Sequence, residues 1–259
     1  MAAQKTPSRS NRKSKTPDEL RLRDKIAVVT GGSRGIGQAI AQVLASEGCA
    51  VIITGRDKAT LARSAARISR KVRGRGKVVP LVCDVRDPES VSALFTKLKQ
   101  RFRRLDILVN NAGVSQVPAS VEETSLELWH KIVETNLTGT FLCSRAALPL
   151  MRSGATIINN LSAAAKQVFP NFAAYTAAKT GAYAFTLSLR EELMPRGIRV
   201  TALMPGATAT EMWNDIMPTA PRDKMMHVES TAQAVLYAVL LPPNANLSEL
   251  LLTPTAGAV

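Results

Sequence analysis

Cysteine and histidine are scarce in this sequence: Cys49, Cys83 and Cys143, with His130 and His227, are all that 259 residues contain. The cysteines lie far apart with no CxxC spacing, which excludes a disulfide framework, and two isolated histidines leave no metal-ligand set. No metal is expected. Aromatic residues are 4% of the chain, too few to build stacking platforms for nucleic acid. Long apolar runs are missing as well. None approaches the roughly 18 residues of a membrane span, and the chain opens on polar and basic residues rather than a secretory core. These absences point to a reduced, cytoplasmic protein with no membrane partner.

Acidic residues are outnumbered, 20 Asp and Glu against 34 Lys and Arg, for a formal charge of +14. The excess gathers in three places: an N-terminal stretch with Lys5, Arg9, Arg12, Lys13 and Lys15; the segment from Arg63 to Lys77; and Lys97 to Arg104. No helix-turn-helix or RNA-binding signature accompanies it. Solvated helix faces and a basic, disordered extension over residues 1–24 account for the charge, and no specific nucleic-acid partner is expected.

From Lys25 onward short apolar runs alternate with helical spacing. Ile26–Thr30, Ala50–Thr54, Lys77–Val82, Asp106–Val109, Ala155–Asn159, Ile198–Leu203 and Glu249–Leu252 read as strands. The stretches between them, including an expected long helix over Ser125–Met151, read as helices. Seven strands alternating with helices predict an α/β fold: one doubly wound parallel sheet with helices on both faces, over residues 25–259. Residues 206–228 lack clean periodicity and read as an insertion over the site.

The first strand runs into Thr30-Gly31-Gly32-Ser33-Arg34-Gly35-Ile36-Gly37. Glycine is needed in such a turn, because its dihedrals are tight and a side chain would block a pyrophosphate from the backbone. The helix that opens at Gly35 offers free N–H groups to the phosphates. On the second strand, Ile53-Thr54-Gly55-Arg56-Asp57 has glycine where an acid would accept from a ribose 2′-hydroxyl. Arg56 and Arg34 instead suit a 2′-phosphate.

The TGxxxGxG spacing resembles the cofactor loop of the short-chain dehydrogenase/reductase family, and further motifs follow in order. Asp84 with Val85 stands past the third strand, and Asn110-Asn111-Ala112-Gly113 matches NNAG after the fourth. Asn136 lies in the long helix and Ser162 after the fifth strand. Tyr175 and Lys179 form YxxxK, and Pro205-Gly206 with Thr208 and Thr210 fits the PGxxxT stretch. The resemblance implies a Rossmann-type fold that binds NADP(H) through Gly31, Ser33, Arg34, Gly35, Ile36, Gly37, Arg56, Asp84, Val85, Asn111, Ala112, Gly113, Tyr175, Lys179, Pro205, Gly206, Thr208 and Thr210.

It also implies roles for the reacting groups. Tyr175 would protonate the developing alkoxide, Ser162 would hydrogen-bond the same oxygen, and Lys179 would hold the nicotinamide ribose and depress the tyrosine pKa. Asn136 would fix a water linking Lys179 to solvent. A homodimer or homotetramer pairing the long helices is implied too. Asn160 departs from the family pattern, placing an amide where an aliphatic is common.

Met212, Trp213, Ile216, Met217, Met225 and Met226, with Phe169 and Phe172, are expected to form a flap favouring an apolar or ring-bearing carbonyl substrate. Tyr183 and Tyr237 are expected to be packing residues, and His130 and His227 structural or loop residues. The leading expectation is an oxidoreductase that interconverts a ketone and a secondary alcohol. A dedicated 3-oxoacyl thioester reductase or 3-hydroxy acid dehydrogenase, a non-catalytic NADP-binding sensor and a polyanion binder are the alternatives.

Overall fold

Each apolar run becomes a strand because one residue in two can be buried on either side of a sheet. In the computed structural model, which describes residues 20–257, these are β1 (Ile26–Val29), β2 (Ala50–Gly55), β3 (Lys77–Val82), β4 (Ile107–Asn110), β5 (Thr156–Asn160), β6 (Arg199–Pro205) and β7 (Glu249–Leu252). They form one parallel sheet in the order β3-β2-β1-β4-β5-β6-β7, with Val28 opposite both Ile52 and Leu108. Winding goes outward from β1 to β3 and then resumes at β4 on the other side of β1. A crevice therefore opens at the carboxyl ends of β1 and β4, where no crossover helix fills the gap.

Alternate residues of the strands feed two cores. Val29, Ile53 and Val109 pack under α1 (Gly35–Ser46), α2 (Lys58–Val72) and α8 (Val228–Leu240), against Leu44, Ile68 and Val235. Val28, Ile52 and Leu108 face the opposite way, against Leu94 and Phe95 of α3 (Pro88–Phe102) and Leu189 and Leu193 of α6 (Ala173–Leu193). Helix starts are fixed by side-chain caps. Asp57 accepts from Thr60 N at 2.7 Å, Asp87 from Glu89 N at 2.9 Å, and Ser125 from Leu128 N at 3.1 Å.

Several boundaries differ from the sequence reading. The expected helix over Ser125–Met151 is broken into α4 (Leu126–Val133), a π-turn (Glu134–Thr138), α5 (Gly139–Ala147) and a final 3₁₀ turn (Leu148–Leu150). The widened turn holds Asn136. It precedes Gly139, whose Cα passes so close to β3's continuation that a Cβ there would lie 2.8 Å from Val85 Cγ2. β6 runs on to Pro205, and α8 begins at Val228 rather than Thr231.

Residues before Lys25 also join the core. Leu22 is 4% exposed in the first core, its N–H donates to Glu47 O at 2.8 Å, and Arg21 bonds the Glu47 carboxylate at 2.9 and 3.0 Å. The rest of the expected extension, residues 1–19, lies outside the described residues. Tyr237, expected to pack, is 62% exposed. Tyr183 donates its hydroxyl to Glu249, which also pairs with Lys166. Among the described residues no helix is long and apolar enough to cross a membrane, and no group of His, Cys, Asp and Glu could hold a metal ion.

Residues 206–228 are less irregular than their pattern suggests. They carry α7 (Met212–Ile216) and a short turn at Arg222–Lys224, and Met226 N donates to Ala207 O at 3.0 Å to close the base. Arg222 donates to Thr210 O and Asn214 Oδ1, and Trp213 Nε1 to Thr208 O at 2.9 Å. The segment is a pinned flap above the crevice.

Candidate active site

The glycine turn after β1 is held by contacts that leave no space for side chains. Gly31 has φ +62°, and a Cβ on it would sit 2.9 Å from Ala112 Cα. At Gly37 a Cβ would lie 2.4 Å from both Gly31 O and Asn111 Nδ2. Asn111 ties the turn to the end of β4, donating to Thr30 O at 2.9 Å and Gly31 O at 3.2 Å. Thr30 Oγ1 accepts in return from Asn111 N and Ala112 N, each at 2.9 Å. Helix α1 has no side-chain cap and no acid in its first turn, so its N-terminal N–H groups and dipole face the crevice uncompensated.

At one end of the crevice stand Arg34 and Arg56, both exposed, with Arg34 Nη1 3.9 Å from Glu211 of the flap. Asp57, which lines the crevice beside Arg56, caps α2. Asp84 is engaged by Arg86, whose Nη2 lies 2.7 Å from Asp84 Oδ2, and that guanidinium holds the Asp84 carboxyl below its usual range. Arg86 was missed in the sequence, although it follows Asp84 by only two residues.

At the other end, β5 and α6 bring the candidate reacting groups together. Ser162 follows β5, its Oγ accepting from Ala164 N at 3.1 Å. One helical turn apart on α6, Lys179 Nζ lies 5.6 Å from the Tyr175 ring centroid. Lys179 is 5% exposed, and its ammonium donates to Asn160 O at 3.2 Å. Burial lowers its pKa from 10.5 to about 8.

Burial also pushes the Tyr175 phenol above its ordinary value, and a hydrogen bond with Ser162 opposes that rise. The causes of that rise do not include Lys179. Desolvation acts on both groups, and it weakens the cation that was to stabilise a phenolate.

Asn136 is fixed from the π-turn, donating to Val114 O at 2.8 Å and Ile132 O at 2.9 Å, while its buried Oδ1 has no hydrogen-bond donor among the described residues. A Cβ on Gly113 would fall 2.8 Å from that Oδ1 and 3.6 Å from Lys179 Nζ, so both groups flank the same glycine. Asn160 donates to Asn111 Oδ1 at 2.8 Å, linking the end of β5 to the glycine turn.

Gln116, also missed, is 2% exposed; its Oε1 accepts from Tyr175 N at 3.1 Å and its Nε2 donates to Asn171 O. It supplies the acceptor that the start of α6 lacks. No local pattern signals this, because the partners are 59 residues apart.

All the residues expected to hold cofactor or react line one cavity of about 1080 Å³, together with Phe169, Phe172, Met212, Trp213, Ile216, Met217 and Met225. Met226 bonds through its backbone at the base of the flap, and neither it nor His130 nor His227 lines the cavity.

The cradle fits a dinucleotide: glycine backbone and a free helix start at the middle, arginines at one end, and buried hydrogen-bonding groups at the other. The description "short chain dehydrogenase" matches residues 25–221. The chain is a short-chain dehydrogenase. It is 35% identical to an uncharacterized oxidoreductase of Staphylococcus saprophyticus over 91% of its length and 99% of that protein. It is 32% identical to sulfoacetaldehyde reductase 2 of Chromohalobacter salexigens, over 90% of this chain and 95% of that one.

Among solved structures it resembles an alcohol dehydrogenase from the archaeon Thermococcus sibiricus complexed with 5-hydroxy-NADP (TM-score 0.81, 30% identity, covering 90% of this chain and 97% of the other). It likewise resembles a short chain dehydrogenase from Burkholderia cenocepacia in complex with NADP (TM-score 0.82, 30% identity, 91% and 99%). This short-chain dehydrogenase is therefore an oxidoreductase of CH–OH and C=O groups that uses a nicotinamide cofactor.

Proposed function

We propose that this dehydrogenase prefers NADP(H) and reduces a ketone to a secondary alcohol, or the reverse, with Tyr175 as general acid and base. The observation that carries the reading is the meeting of Tyr175, Lys179 and Asn136 in the cavity that the glycine turn and two arginines also line. The bound nicotinamide supplies the hydride. Tyr175 gives its phenolic proton to the substrate oxygen, and Ser162 donates a hydrogen bond to that oxygen. Lys179, with its pKa near 8, can pass a proton toward Tyr175 and hold a ribose hydroxyl. The unpaired Asn136 Oδ1 can anchor a water that refills Lys179 from solvent.

Arg34 and Arg56 grip the 2′-phosphate in this reading, and Gly55 leaves no acid to repel it. Titration of the full chain should show NADPH binding at least about tenfold more tightly than NADH. Arg34→Ala combined with Arg56→Ala should abolish most of that difference, because each charge-assisted contact contributes about 1.5–3 kcal/mol. Equal affinity for the two cofactors in the unsubstituted chain would overturn the preference. Tight NADPH binding with no turnover on any ketone would favour a sensor, and turnover confined to 3-oxoacyl thioesters would favour the dedicated reductase.

The reading includes a cytoplasmic enzyme, in keeping with three unpaired buried cysteines. It also includes a homodimer or homotetramer, supported by exposed Leu126, Trp129 and Phe141 along α4 and α5. Light scattering should then give two or four chains, and Phe141→Arg should shift that value downward.

A further inference from the structure

Twelve large apolar side chains are exposed among the described residues, and five of them sit on loops at one edge of the sheet. Val117 (60% exposed), Val121 (76%), Val168 (84%), Phe169 (38%) and Met217 (39%) all belong to segments on the carboxyl edge of the sheet, around the cavity. Phe169 and Met217 line the cavity itself. Val168 adjoins Phe169 in the loop after β5. Val117 and Val121 flank Ala119 in the loop after β4, and Ala119 N donates to Asn171 O at 3.0 Å, joining the two loops. The mouth of the site thus has an apolar rim, a feature that costs solubility unless something apolar covers it.

The walls below the rim have the same character. The two loops and the flap contribute Val114, Leu161, Phe172, Trp213, Ile216 and Met225 to the lining, and their one charged lining residue is Glu211, which faces Arg34. No cation reaches the cavity from these three segments. The flap's Arg222 has both terminal nitrogens bonded, to Thr210 O and Asn214 Oδ1. The cavity's cations, Lys131 among them, come from other elements. A carboxylate, sulfonate or phosphate lodged among the two loops and the flap would find no cation from them, and burying it unpaired is costly.

We infer that the substrate is a bulky, uncharged, lipophilic ketone or its alcohol, whose apolar body extends from Tyr175 under the flap and out over the rim formed by Val117, Val121, Val168, Phe169 and Met217. This rests on the proposed ketone chemistry and names the substrate class for the same site. It separates this chain from its sulfoacetaldehyde-reducing relative, whose named substrate is small and anionic.

The test is steady-state reduction by the NADPH-loaded full chain across three sets of carbonyls: a series of uncharged ketones with lengthening or ring-bearing apolar bodies, their analogues ending in carboxylate, and sulfoacetaldehyde. Along the uncharged series kcat/KM should rise by about three- to fourfold per added methylene until the rim is covered. The carboxylate analogues should lose at least about tenfold. Val121→Ser with Val168→Ser, which touches none of the reacting or cofactor groups, should raise KM about fivefold for the largest ketones only. The kcat and the small-ketone KM should stay unchanged.

A flat series, a preference for the anionic carbonyls, or rim variants that leave every KM unchanged would overturn the inference while leaving ketone reduction intact. Rim variants that alter the number of associated chains instead of KM would also overturn it, by assigning the rim to a second copy. Tight NADPH binding with no reduction of any ketone marks a failure of the proposed reaction itself. Phe169→Ser provides the same KM comparison from inside the cavity if the double variant fails to fold.

Discussion

Tyr175→Phe should lower kcat by about a thousandfold while changing NADPH affinity by less than about threefold. The substitution removes one oxygen from a ring whose other contacts are kept. The ring stays one turn from Lys179, whose Nζ lies 5.6 Å from its centroid, and the backbone N–H still donates to Gln116. What disappears is the proton that must reach the substrate oxygen as it gains charge.

Because burial raises the phenol pKa against the opposing Ser162 hydrogen bond, Tyr175 is fully protonated through neutral pH. Reduction should therefore be insensitive to pH between about 6 and 7 and decline as Lys179 loses its proton around 8, whereas alcohol oxidation, which needs the base form, should rise with pH. Apparent constants in such profiles belong to the Tyr175–Lys179 pair rather than to either residue. A phenylalanine variant that keeps more than a tenth of the kcat would remove Tyr175 from the reaction.

Lys179→Met should do two opposite things: reduce kcat by at least about a hundredfold and make the cofactor-free protein more stable. Lys179 is 5% exposed, and burial lowers its pKa from 10.5 to about 8. The folded state therefore holds its proton less tightly than the unfolded chain, which costs roughly 3 kcal/mol at neutral pH. That cost is fully present below pH 8 and fades as pH rises toward 10.5, where the unfolded lysine also becomes neutral. Methionine has a similar length without the charge, although Asn160 O then loses its donor, which offsets about 1 kcal/mol.

The net gain, about 2 kcal/mol at pH 7, should raise the Tm of the apo protein by about 5 °C. It should vanish at about pH 10 and reverse slightly above that, where only the lost bond to Asn160 O remains. Thermal melts of both proteins at pH 7 and at the highest pH they tolerate measure this directly. A variant less stable than the parent at pH 7 would mean that the lysine is held by more than the single Asn160 bond. The result expected here is a functional group retained against stability, as active sites commonly require.

How much of this was readable in advance differs from element to element. The seven strands were legible because each buried run is apolar and bounded by turn residues, and their parallel pairing followed from the helices between them. The glycine turn was legible because its requirement is local. Gly31 and Gly37 answer to backbone contacts within a few residues of sequence or to the adjacent strand end. Tyr175 and Lys179 were legible for the same reason, since four residues on a helix place two side chains on one face.

The misses share a cause. The π-turn at Glu134–Thr138 breaks a segment whose composition is helical throughout, and its position is bound up with the close passage of Gly139 over Val85. Gln116 holds the start of α6 from a loop 59 residues away. Leu22 joins the core from a stretch whose charge suggested a free tail. In the same way burial, which the chain alone does not show, raises the Tyr175 phenol and lowers the Lys179 ammonium.

The sequence by itself determined the fold class, the order of the strands' connections, the glycine turn and the placing of Tyr175 and Lys179 on one helix face. All of these rest on spacing over a few residues or on alternation along the chain. Tertiary structure alone decided how exposed each apolar residue is, which buried oxygen is left without a donor, how the flap is pinned, and in which direction each pKa moves. Those are sums over neighbours distant in sequence. Desolvation of Tyr175 and Lys179 exists only once the chain has closed around them.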